Sequence, residues 1–247
     1  MNLPPELLDE IIGQIPQDDE QSLRNCSLVA KSWMYPSRRR IFEAVDVWKA
    51  RRLKLWMDVI PPTNLGVLQH IRSIRCQINS PPDSPRLSAD LLLDHSPSFH
   101  HLERLTLFSG FLPPPTQIGT CSAFQHTLLY LCLRLCNVTA SALVTFVNYF
   151  PNLAHLDLVE LYRSVDAQPT PPFSRPLKKL SVTEFTDLGL IDQLIELHPQ
   201  CDEVSVDMYW AASPPLAQHV INGVGTSVKR LTIVCEPEGV SNVSKIL

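Results

Sequence analysis

The sequence predicts an α/β fold: a small N-terminal helical head followed by a stack of repeated helix–strand units. Three observations predict it. Residues 139–158, TASALVTFVNYFPNLAHLDL, join a helical stripe (Leu143, Phe146, Val147, Phe150) to the alternating run Leu153-x-x-Leu156-x-Leu158, across a stop at Pro151. The same apolar frame, Φ-x-x-Φ-x-Φ, begins at Ile71, Leu102, Leu128, Leu153, Leu177, Cys201 and Val228, at intervals of 31, 26, 25, 24, 24 and 27 residues. Residues 3–47, ahead of the first frame, carry short amphipathic helical patterns instead.

One helix stripe and one strand face cannot bury themselves alone, so each unit needs copies on either side. In residues 139–158, Thr139 or Ser141 is available as helix N-cap. The intervals are close to the ~20–29 residues of leucine-rich repeats, and from residue 65 to the end the chain resembles a leucine-rich-repeat solenoid. That resemblance implies short parallel strands on a concave face, with helices and loops on the convex one. From the frame at Leu102 onward, the Asn or Cys expected eight places after the first residue occurs only as Cys136, with Gly110, Leu161, Phe185, Tyr209 and Glu236 elsewhere. An irregular solenoid of about seven frames is therefore expected over residues 65–247.

In the head, Pro4 and Pro5 suit a first helical turn. Leu7, Leu8, Ile11, Ile12 and Ile15 form a broad apolar face opposite Glu6, Asp9, Glu10 and Gln14, and Pro16 ends it. Asp18 or Asp19 can cap a second helix, with Gln21 three residues after Asp18 as in a capping box. Leu23, Cys26, Ala30 and Trp33 recur on it at helical spacing, and a third short helix is predicted after Pro36, carrying Ile41 and Phe42.

Leu3-Pro4, Glu6-Leu7-Leu8, Ile11-Ile12, Ile15-Pro16, Leu23, Cys26, Val29, Lys31, Trp33 and Arg40-Ile41-Phe42 together resemble an F-box in order and spacing. The acidic connector at 17–21 is longer than usual, and Ala30 stands where Cys is frequent. The resemblance implies that residues 1–47 dock a Skp-family adaptor and through it a cullin–RING ubiquitin ligase. Leu3, Pro4, Leu7, Leu8, Ile11, Ile15, Leu23, Val29 and Trp33 would carry that contact, some of them doubling as the head's own core. The solenoid would hold an unidentified target protein, and partner subunits would transfer the ubiquitin. Size argues in the same direction: a three-helix head this small cannot cover both sides of the first helix's stripe. The uncovered side either meets a partner or is covered by the solenoid. Under the second alternative the chain is a binding scaffold outside any ligase, with an F-box-like cap.

Residues 48–64 read as a helical linker, with Leu53, Trp56, Met57 and Ile60 on one side and a solvated basic face of Lys49, Arg51, Arg52 and Lys54. In each frame, residues three, five and seven face the concave surface, because strand side chains alternate. This gathers Arg75, Arg104, Phe108, Tyr130, Arg134 and His155 as candidate target-binding residues. Arginines with aromatics suit capture of a protein segment, including an acidic or phosphorylated one; a solvated sheet face with ordinary variety reads the same way. Convex helices are expected over 88–95, 186–197 and 213–223. A proline-rich loop is expected between the frames at Leu153 and Leu177, and a tail without a capping repeat over 236–247.

Composition narrows the function. With 21 basic and 25 acidic residues, the chain is not built as a dedicated nucleic-acid binder. No apolar run reaches the ~18 residues of a membrane span, and MNLPPELLDE lacks the basic start and apolar core of a signal peptide. Seven scattered cysteines read as reduced, buried thiols of a cytoplasmic or nuclear protein. Cys132 and Cys136 lack a second pair at zinc spacing, so neither a metal nor another cofactor is expected. The 22 prolines cluster between frames as turn formers. No nucleophile elbow, phosphate loop, zinc-helix motif or dinucleotide fingerprint occurs, so the expected role is non-catalytic. Alternating helices and strands also permit a doubly wound nucleotide-binding sheet, but Gly110, the nearest phosphate-turn candidate, runs into Phe111, Leu112 and three prolines.

Overall fold

The structure is a computed structural model and describes residues 3–16, 19–47, 69–77, 99–112, 119–164, 170–183, 187–197, 199–208, 228–235 and 245–246. Helix α1 (Pro5–Gly13) begins with Pro5 at its first position, where a missing N–H costs nothing. Its Leu8 and Ile12, with Leu23 of α2 (Glu20–Val29), are the buried core of the head. Asp19, not Asp18, caps α2: its carboxylate accepts the Ser22 N–H at 3.0 Å. Hydrogen bonding to Ser22 holds the Asp19 carboxyl below the usual carboxylate range. Gln21 therefore closes no capping box, and its side chain donates to Asn25 at 3.0 Å.

The rest of the head departs from the sequence reading. Ala30 is extended (φ −157°, ψ 157°), so α2 ends at Val29 and Trp33 lies on α3 (Lys31–Ile41). Helix α3 runs through Pro36 instead of starting after it. Proline removes one helical hydrogen bond. Here Pro36 and Ser37 are buried where α3 packs against both other helices, and packing outweighs that loss.

The strands are β1 (Ala44–Val47), β2 (Ser73–Gln77), β3 (Arg104–Phe111), β4 (Tyr130–Val138), β5 (His155–Val159), β6 (Tyr162–Arg163), β7 (Leu177–Thr183), β8 (Cys201–Met208), β9 (Arg230–Cys235) and β10 (Lys245–Ile246). They form one sheet in chain order, parallel throughout except for β10, which is antiparallel on β9. The short β6 pairs with the end of β4 beyond β5, so part of the expected proline-rich loop is strand. Strand order shows no reversal among the described strands. A doubly wound sheet needs one, so that arrangement is not formed.

The frames set the register. Ser73, Arg104, Tyr130, His155, Lys179, Glu203 and Arg230, the third residue of each frame, lie in one row across the sheet. The sheet also starts one frame earlier than expected. Phe42-x-x-Val45-x-Val47 fits the pattern 29 residues before the frame at Ile71, and Val45 pairs with Ile74. The first strand thus lies inside the segment read as head.

A backbone motif repeats at the starts of β2, β3, β4, β5 and β7. The N–H groups of the second and third frame residues both donate to the second-residue carbonyl of the preceding frame. Arg72 and Ser73 bond Glu43, Glu103 and Arg104 bond Arg72, and Leu129 and Tyr130 bond Glu103; Ala154 and His155 bond Leu129, and Lys178 and Lys179 bond Ala154, all at 2.8–3.0 Å. At the far end, the eighth residue of three successive frames is left-handed: Ser109 (φ 50°), Leu135 (φ 55°) and Glu160 (φ 53°). None is glycine, so each costs roughly 1 kcal/mol that the stack must offset. The Glu160 N–H donates to Thr183 Oγ1 at 3.0 Å, one such compensation. The Cys136 thiol lies 3.5 Å from the Leu107 carbonyl oxygen and 3.3 Å from that of Arg134, whereas Leu161 fills the equivalent place with buried apolar surface.

The first, fourth and sixth frame residues are the core: Ile71, Ile74 and Cys76, Leu102, Leu105 and Leu107, and their counterparts through Val204 and Val206 are buried. Helix α4 (Ala140–Tyr149) adds Leu143, Phe146 and Val147 to this core. It is capped by Thr139, which accepts the Ala142 N–H at 3.1 Å. Helix α5 (Leu188–Glu196), capped by Asp187, adds Leu190, Ile191 and Leu194. Between β3 and β4 a 3-10 helix (Gly119–Phe124) places Phe124 in stacked contact with Phe150, centroids 5.9 Å apart. The linker helix over 48–64 and the convex helices over 88–95 and 213–223 lie outside the described residues.

Candidate protein interface

The apolar stripe of α1 divides into two faces. Leu8 and Ile12 turn inward with Leu23 and are buried. Leu7 (45% exposed) and Ile11 (42%) continue the line of Leu3 at a spacing of four, a ridge that the head leaves in solvent. Pro4 is exposed beside it. Val29 (66%) and Leu28 (82%) stand exposed at the end of α2, while Ile15 and Trp33 are half-buried. Leu8 and Leu23 thus offer no surface to a partner; they hold the helices that present the others. Leu28, absent from the sequence-derived set, adds to the exposed apolar surface beside Val29. A long Arg39–Asp9 ion pair at 3.9 Å links α3 to α1, with both side chains about half in solvent and correspondingly weak.

A second surface lies on the sheet face opposite the helices. Arg75 on β2, Arg104 and Phe108 on β3, Tyr130 and Arg134 on β4 and His155 on β5 occupy third, fifth and seventh frame positions, so the sheet brings all six sequence-derived candidates onto one side. The Arg104 guanidinium lies 5.7 Å from the Tyr130 ring centroid, and the His155 ring is 6.5 Å further on. The Tyr130 hydroxyl donates a hydrogen bond to Asp157 Oδ2. Burial first, then this bond to a carboxylate, drive the Tyr130 pKa far above that of a free phenol. Arg75 approaches Asp46 of β1 at 3.8 Å, and Arg134 approaches Glu160 at 3.7 Å. Asp46 and Glu160 were not foreseen as neighbours of the site, since one belongs to the unrecognised first strand and the other to a left-handed turn.

Between the head and this face is a cavity of about 680 Å³, with Glu20, Glu43, Asp46, Arg72, Arg75 and Arg104 in its wall. Its carboxylates are matched: Glu20 by Arg24 at 2.8 Å, Glu43 by Arg40 at 2.6 Å, Glu103 by Arg72 at 2.7 Å, and Asp46 by Arg75. Arg104 has no carboxylate partner among the described residues. The buried thiols are poor nucleophiles, since burial pushes Cys76, Cys136 and Cys201 up to about 12 and Cys132 up to about 11. Among the described residues no helix is long and apolar enough to cross a membrane, and no three His, Cys, Asp or Glu side chains are grouped to hold a metal. The chain matches no protein-family model, and no curated protein is significantly similar to it.

Proposed function

We propose that this chain is the substrate-receptor subunit of a Skp–cullin–F-box ubiquitin ligase. Its head is read as an F-box docking a Skp-family adaptor, and its sheet as an irregular leucine-rich-repeat solenoid holding a target protein. The observation that carries this reading is the division of α1: Leu8 and Ile12 fill the head, yet Leu3, Leu7 and Ile11 stay exposed. An apolar ridge left in solvent by a head with its own core is what a docking helix requires. The repeated register and strand-start hydrogen bonds support the solenoid reading. The chain supplies proximity and no chemistry, since a bound target's lysines gain effective concentration near a ubiquitin-charged partner.

One observation favours a second reading, a non-ligase scaffold with an F-box-like cap. Strand β1 follows α3 directly and pairs with β2, so the head also closes the first edge of the sheet. Reconstitution separates the two. Mixed with a Skp-family adaptor and a cullin–RING assembly, the wild-type chain is expected to enter one stoichiometric complex. A monodisperse chain that stays apart from both overturns the ligase reading and leaves the scaffold.

A further inference from the structure

The cations on the open sheet face are arranged unlike an ordinary solvated surface. Thr106 is central: Arg75 is its register partner on β2, Arg104 is two residues before it on the same face of β3, and Arg134 lies diagonally across on β4. Ser73, Thr106 and Cys132 are small and form a low floor between these arms. Arg104 is laid against the Tyr130 ring, which orders its planar fork without neutralising it. The ring is itself fixed through its hydroxyl bond to Asp157.

The outer two arginines lean apart, Arg75 toward Asp46 on β1 and Arg134 toward Glu160 after β5. Both pairs are long, and each arginine is about half in solvent, so a ligand's anions can displace them. A single phosphate over Thr106 would meet one guanidinium and leave the others turned away. Carboxylates spread along an extended chain would meet all three. The step from β2 to β4 is two strand spacings, about 10 Å, and matches roughly three residues of extended peptide.

We propose that this face binds an acidic, extended segment of the target protein, crossing β2 to β4 with the carboxylates that meet Arg75 and Arg134 about three residues apart and a further one between them against Arg104. The proposal rests on reading this face as the target-binding one. The segment's carboxylates meet guanidinium forks in charge-assisted pairs, and its backbone lies over the floor of small side chains.

The test uses the full chain and a fluorescent probe peptide carrying a run of four aspartates. Its asparagine counterpart and a peptide with a single phosphoserine serve as comparisons. The aspartate probe is expected to bind about tenfold or more tighter than the asparagine one and to weaken as salt rises. Arg104→Gln, checked by circular dichroism, is expected to reduce that binding by about tenfold. Arg230→Gln, at the far end of the sheet, is expected to leave it within about twofold. Equal binding of the asparagine probe, indifference to Arg104→Gln, or preference for the single phosphoserine would each overturn the proposal. Adaptor binding measured on the same preparations reports separately on the head. Its retention alongside failed acidic binding sinks this inference alone, whereas its loss alongside intact acidic binding sinks the ligase reading and keeps this face.

Discussion

Leu156 sits at the fourth position of its frame, between Leu131 and Leu180 on the neighbouring strands, and is fully buried. Truncation there empties space that two flanking strands cannot collapse into. Leu156→Ala is therefore expected to cost about 3 kcal/mol, read as a lower urea midpoint at unchanged slope. A cost below about 1 kcal/mol would place this position outside the core. The thiols give a second residue-scale prediction. Raised pKa values leave Cys76, Cys132, Cys136 and Cys201 protonated and shielded at neutral pH, whereas Cys26 is only partly buried. Brief iodoacetamide treatment followed by peptide mass spectrometry should label Cys26 before these four. Faster labelling of any of the four would contradict their burial.

Elements divide by how local their signals are. The strands were legible because alternation and a near-constant interval both report the same face, and every frame predicted its strand's register. The candidate face was legible for the same reason, as Arg75, Arg104 and Arg134 fall on odd frame positions. The frame at Phe42 is hidden because Ile41 and Phe42 also continue the helical pattern of the head. Proline at 36 and alanine at 30 misplaced the helix boundaries, since local propensity there is overruled by packing between α2 and α3. The division of α1 into core and ridge could not be read, because its stripe is broad and burial depends on where α2 and α3 lie.

The junction of α3 with the sheet carries its own prediction. His70 meets the Tyr35 ring edge-on at 5.4 Å and shares a cavity of about 290 Å³ with Arg39, Glu43, Arg72 and His101. Burial, then the charges of Arg39 and His101, lower its pKa below the ordinary 6.5. Glu43 would oppose this shift but is engaged by Arg40. The neutral imidazole is thus favoured in the folded chain. Its contribution is complete above 6.5 and declines as pH falls from there through the lowered folded value. His70→Asn should make stability fall less steeply than in the wild type as pH drops below about 6.5. An unchanged slope would remove His70 from the account.

At the scale of the molecule, the sheet advances in one direction, each unit burying its apolar face against its neighbours, with the head continuous with the first strand. Such a stack satisfies its own core and, among the described residues, presents the α1 ridge and the arginine-bearing sheet face as candidate surfaces. The proposed function assigns one to an adaptor and the other to a target, so both must work in the same chain. The adaptor contact is the central claim. Titration calorimetry of a Skp-family adaptor into the wild-type chain and into a Leu7→Asp/Ile11→Asp double variant, with circular dichroism to establish that both are folded, tests it most directly. One-to-one binding that weakens by about a hundredfold or more in the folded variant is the predicted result, because two apolar anchors would become buried charges. No heat of binding with the folded wild type, or equal affinity of the two chains, would contradict it.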